Sequence, residues 1–142
     1  MVDMILTSKE IREELSKEWA NLVWMLLTDP EYYAPSYEKI KTFVKQEQGD
    51  KRKYIPNIYE CEEFSLSFMT TLRRMRADDW LEGQTEHRLN WAVGLILTQD
   101  GDKIHYKNVC ISNNEGVLLI EPQVNLIEKA KDVILEAHYV FM

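Results

Sequence analysis

The chain has 142 residues, 45% of them hydrophobic, with four tryptophans and a formal net charge of −7. This supports one domain over residues 1–142 with a buried core and excludes a disordered chain, while the negative balance works against binding to nucleic acid phosphates. No apolar run approaches the ~20 residues of a membrane span, Met1-Val2-Asp3-Met4 opens no secretory signal, and two cysteines without close spacing make no disulfide framework, so a reducing, cytoplasmic setting is the expectation.

In chain order, Thr7-Ser8-Lys9-Glu10 reads as a capping box opening a first helix. Ile11, Leu15, Trp19, Leu22, Val23 and Leu26 continue it at helical spacing, up to Asp29-Pro30, where proline disfavours further helix. A second helix starts near Pro35-Ser36, turns Tyr37, Ile40 and Val44 inward, and ends by Gly49. Residues 51–57 read as a loop. A third helix over residues 60–76 places Phe64, Phe68 and Leu72 on one face, with Cys61 one turn before Phe64. Residues 77–90 are polar and read as a long loop.

The period then changes. Residues 91–98 form a continuous apolar run suited to a buried strand, and Asp100-Gly101 is a hairpin signal. Residues 103–112 and 117–121 read as strands around a turn at 113–116, and a last strand falls within 133–141. The pattern predicts an α+β fold with N-terminal helices (about residues 1–90) followed by an antiparallel β-sheet (about 91–142). A hairpin centred on Asn113 sets His105 opposite Glu121, whereas Gly116 favours a later centre.

Three residues stand out by their order: Cys61 at a helix start, His105 on a strand, and Glu121 at the end of the next strand. A thiol at the positive end of a helix dipole loses its proton more easily. A histidine moves that proton, and a carboxylate orients the histidine, so the set fits acyl transfer through a thiolate. His87 and His138 are alternatives to His105 without a comparable setting, and Cys110 reads as an inert core residue. The amides of Cys61 or Glu62, with Asn57, Gln46 or Gln48, are candidate donors to an oxyanion. Lys51-Arg52-Lys53 and Arg73-Arg74 read as solvated faces.

The segments Tyr59-Glu60-Cys61-Glu62-Glu63-Phe64, His105-Tyr106-Lys107-Asn108 and Leu119-Ile120-Glu121-Pro122-Gln123 resemble the motif set of the papain-like domain in the agglutinin of the fairy-ring mushroom and of related small bacterial and phage proteins. The resemblance spans residues 54–123. It implies a papain-like fold and a cysteine (thiol) protease or acyl transferase with Cys61, His105 and Glu121 as catalytic triad and a peptide or amide as substrate. It also implies calcium at Glu62 and Glu63, although both stand where the family has aspartates; carboxylates suit that ion. No other cofactor is expected, and three histidines and two cysteines show no zinc-ligand spacing. The alternative of another class is a non-catalytic binding module on the same fold, such as a viral or phage accessory protein. An oligomer-assembly role would use Trp24 and Trp80.

Overall fold

The computed structural model describes residues 4–47, 51–57, 59–85 and 87–142. Strand β1 (Met4–Thr7) leads directly into helix α1 (Ser8–Glu18), with the Thr7 side chain accepting from the Glu10 amide at 3.2 Å. Strands β2 (Trp24–Leu26) and β3 (Glu31–Ala34) follow, then helices α2 (Tyr37–Glu47) and α3 (Cys61–Leu81). The remaining strands are β4 (Val93–Asp100), β5 (Lys103–Ser112), β6 (Gly116–Glu121), β7 (Leu126–Lys129) and β8 (Glu136–Phe141).

The expectation of N-terminal helices followed by an antiparallel sheet is corrected here. The main sheet has six strands in the order β2-β8-β4-β5-β6-β7, and β1 and β3 form a separate two-stranded sheet. The main sheet is mixed, because β2 runs parallel to β8 while the other pairs are antiparallel. Three strands thus come from the first 34 residues, which the helical reading had assigned otherwise.

The physical reason is that pairing partners far along the chain outcompete local periodicity. Helix α1 ends at Glu18, the chain turns extended at Trp19 (φ −133°, ψ 91°), and Trp24-Met25-Leu26 pairs with Tyr139-Val140-Phe141. Trp19 and Leu22 keep their place in the core, but Val23 and Leu26 are 73% and 61% exposed. Helix α3 in turn runs beyond residue 76 to Leu81, since residues 77–81 contain no helix breaker.

The sheet is buried on both faces. Val109, Ile111, Val117 and Leu119 pack toward α1, with Ile11 and Leu15. Cys110, Leu118 and Ile120 pack toward α2 and α3, with Ile40, Phe43, Phe68 and Leu72. This two-sided burial explains why β4 reads as an apolar run without alternation. The gap to Gln48 and Gly49, expected to end the second helix, lies outside the described residues.

Asn108 ties the layers together. It is fully buried, and its amide nitrogen donates to Ser65 O of α3 at 3.0 Å and to Gly94 O of β4 at 3.1 Å. Gly94 itself lets β8 approach: a Cβ there would lie 2.4 Å from the Phe141 carbonyl oxygen. Gly94→Ala is expected to lower unfolding stability by about 3 kcal/mol through this backbone clash. Asn108→Ala should cost roughly 2–4 kcal/mol, because two buried carbonyls lose their donor. Urea denaturation of both variants checks these values, and wild-type midpoints would refute the roles assigned to the two residues.

Candidate functional site

Cys61, His105 and Glu121 come from three elements whose placement follows from the hairpin register. Ser112 pairs with Gly116 and Asn108 with Ile120, so the β5–β6 turn is centred on Asn114, later than the Asn113 centre that would set His105 opposite Glu121. Gly116, at φ +72°, closes that turn in the left-handed region. Continued outward, this register makes His105 and Glu121 diagonal neighbours on one sheet face, a separation that long side chains span. The His105 Nε2–H accordingly donates to Glu121 Oε2. The second carboxylate oxygen, Oε1, is buried and has no hydrogen-bond partner among the described residues.

Neighbouring side chains on a strand leave opposite faces, so Tyr106 points away from His105. Its hydroxyl meets that of Tyr139 on β8 at 2.6 Å. That hydrogen bond is the main reason the Tyr106 phenol is pushed up to about 12, with burial and the charges of Glu62 and Cys61 adding to it.

Cys61 begins α3 as expected, half-buried. Glu63 reaches back to the Glu60 amide at 2.9 Å and secures the helix start. The Cys61 sulfur donates to Glu62 Oε2 at 3.5 Å, and no hydrogen bond joins it to the His105 ring. Its pKa is raised. Burial is the largest cause; the Glu62 carboxylate also raises it, while the amides of Tyr106 and Glu62 act in the opposite sense. The helix dipole and an imidazolium were expected to lower it, so the sign is reversed by desolvation and an adjacent like charge. Cys110, fully buried among apolar side chains, is raised further by burial alone.

The structure therefore brings His105 to Glu121 and sets Cys61 against Glu62 and the Tyr106 amide. Glu62 and Glu63 face different partners, the thiol and the Glu60 amide. Among the described residues, no group of three or more His, Cys, Asp or Glu side chains is placed to hold a metal ion. Of the proposed oxyanion donors, Gln46 lines a separate surface hollow with Phe43 and Met75, Asn57 is exposed in a left-handed turn (φ 62°), and Gln48 lies outside the described residues.

A second locus joins Trp24, which the sequence reading had linked only to oligomer assembly, with His138, which it had weighed only as an alternative to His105. A cavity of about 460 Å³ opens between the end of α1, the β2 strand and the start of β8. Trp24 on its wall is 75% exposed. His138, also on the wall, is the extra residue of a β-bulge: Leu97 pairs with Tyr139 but Thr98 with Ala137, leaving His138 without a partner in the β4 ladder. The helical spacing around Trp19 and Leu22 concealed Trp24. The one available signal was the run of large apolar residues Val23-Trp24-Met25-Leu26-Leu27, too continuous for one helix face.

No protein-family profile matches this chain, and no curated protein sequence matches it. Solved structures do. One is a PSL1a–E64 complex, with a TM-score of 0.80 at 14% identity over 97% of this chain and 50% of that one. Another is a Polyporus squamosus lectin bound to the human-type influenza-binding epitope Neu5Acα2-6Galβ1-4GlcNAc, with a TM-score of 0.78 at 15% identity over 97% of this chain and 49% of that one. At such identity the likeness is one of fold, and the chain spans about half the length of the chains it matches. This finding corrects the expected membership of a papain-like protease family: the fold is one found in a lectin. The expectations of a thiol hydrolase and of a peptide or amide substrate are corrected with it, since the second of these neighbours is a glycan binder.

The thiol environment gives a direct test. Glu62→Gln removes the acceptor charge beside Cys61 and should lower the thiol pKa, so alkylation of Cys61 at neutral pH speeds up. Cys110 should stay unreactive while the protein is folded. Alkylation rates followed by mass spectrometry at several pH values decide the matter; an unchanged Cys61 profile would refute the control exerted by Glu62.

Proposed function

We propose that this chain is a non-catalytic binding module and that its ligand is a glycan. One observation carries the choice of binding over catalysis. The Cys61 sulfur donates to Glu62 Oε2 at 3.5 Å and makes no hydrogen bond to the His105 ring, and burial with the Glu62 carboxylate raises its pKa. A thiolate nucleophile instead needs a base at hydrogen-bond distance and a lowered pKa. The ligand class is drawn from the Polyporus squamosus lectin that shares the fold and is bound to a sialylated trisaccharide. Fold alone does not set a ligand, so the proposal stands or falls on binding.

In this reading the Cys61, His105 and Glu121 group is part of the scaffold around the β5 edge. The His105–Glu121 pair fixes the start of β5 against the end of β6. Cys61 packs at the start of α3, where Tyr59 and Phe64 meet edge to face at 4.6 Å.

The test is surface plasmon resonance of the full chain over immobilised glycans ending in Neu5Acα2-6Galβ1-4GlcNAc and in Galβ1-4GlcNAc. Saturable binding is expected, and Cys61→Ala should change its free energy by no more than roughly 0.5 kcal/mol. Absence of binding to every glycan on the surface sinks the proposal. So does loss of binding in a folded Cys61→Ala variant.

A further inference from the structure

Resting on that reading, we propose that the groove walled by Trp24 and His138 is the saccharide site, and that it takes a neutral pyranose stacked on the Trp24 ring. The cavity volume of about 460 Å³ falls within the range of small-molecule sites, ~300–1,000 Å³.

The argument starts from Trp24. The residue is 75% exposed, and among the described residues it makes no ring or cation contact of the kind that engages Trp91 and Trp80. A large apolar ring left to water beside a cavity is a costly surface unless something covers it. Val23, 73% exposed, extends the apolar wall. The electron-rich face of an indole attracts positively polarised hydrogen, which the C–H face of a pyranose presents.

The rest of the wall suits the hydroxyl rim of the same ring. Glu18, Asn21 and Glu136 line the cavity and are exposed, and their side chains enter no hydrogen bond or ion pair among the described residues. His138 is already oriented. Its Nε2–H donates to Gln99 Oε1 at 2.6 Å, and the Gln99 amide nitrogen donates to Gly101 O at 2.9 Å, which fixes which end of that amide faces the imidazole. The neutral His138 ring therefore keeps Nδ1 as an acceptor. The bulge that frees His138 from the β4 ladder is a device that re-aims a side chain. Sugar hydroxyls would donate to the two carboxylates and to Nδ1 and accept from the Asn21 amide.

Charge decides between sugars. Two carboxylates and no lysine or arginine line the groove, on a chain with net charge −7. An anionic sugar would meet like charge here, so the groove fits galactose or an N-acetylhexosamine and disfavours the sialic acid carboxylate. Glu18→Gln with Glu136→Gln should narrow that preference.

The experiment uses the full chain and Galβ1-4GlcNAc, with the same disaccharide carrying Neu5Acα2-6 as comparison, titrated by calorimetry and by indole N–H NMR shifts. The disaccharide should bind at least as tightly as its sialylated form and shift the Trp24 indole signal. Trp24→Ala should weaken it about tenfold, the loss expected of one stacking contact. Trp24→Phe should recover part of the loss, and Trp80→Ala, at the other exposed tryptophan, should leave affinity unchanged. Thermal melts confirm that each variant is folded. If the wild type binds glycans but folded Trp24→Ala binds equally well, or if binding requires Neu5Ac, the groove assignment is overturned and the broader proposal survives. If Trp24→Ala abolishes only self-association, the groove is an interface and the assignment is again overturned. If the wild type binds no glycan, both fall together.

Discussion

Strand β8 is the constraint on which the fold depends. It lies between β2 and β4, parallel to one and antiparallel to the other, and so joins the first part of the chain to the main sheet. The buried Met142 that follows it offers its main-chain oxygen to the Thr28 amide at 2.9 Å, the Thr28 hydroxyl at 3.0 Å and the Tyr32 hydroxyl at 3.0 Å. The buried Met142 oxygen and Tyr32 hydroxyl would be costly unpaired. Gly94 makes the approach possible, since any side chain there would strike Phe141 O.

The same strand carries two different surfaces. His138, displaced by the bulge, belongs to the groove with Trp24. Tyr139, the next residue, meets Tyr106 beside the Cys61 thiol. The thiol side is acid-rich and partly dry, and this raises the pKa of the Cys61 thiol and of the Tyr106 phenol. The groove side is open and polar, with a bare indole at its centre. One arrangement raises the pKa of a thiol, and the other leaves polar side chains and an apolar ring exposed to solvent.

Much of the local structure was legible from residues. Thr7 caps α1, Phe64, Phe68 and Leu72 share the buried face of α3, and Asp100-Gly101 turns β4 into β5. His105 and Glu121 were also paired correctly as neighbours, although as a diagonal pair about Asn114 and not a direct one about Asn113. Gly116 was the residue that pointed to the later centre. The motif resemblance, by contrast, led to a family and an activity that the fold comparison overturned, because short motifs around Cys61 report residue order and not the dielectric around the sulfur.

What the sequence alone determined is whatever depends on neighbours a few residues apart: caps, helix faces, turn glycines, and the apolar run that becomes β4. Tertiary structure decided the rest. Residues 24–26 fall within a stretch of helical spacing yet form a strand, because the free edge of β8, more than a hundred residues away, supplies hydrogen bonds that the local periodicity cannot offer. That pairing is what exposes Trp24. The raised pKa of Cys61 is likewise a tertiary property, set by burial and the Glu62 carboxylate against the pull of the helix start. Spacing encodes faces and turns, whereas burial, register across the sheet and the field at a given atom exist only once distant segments have met.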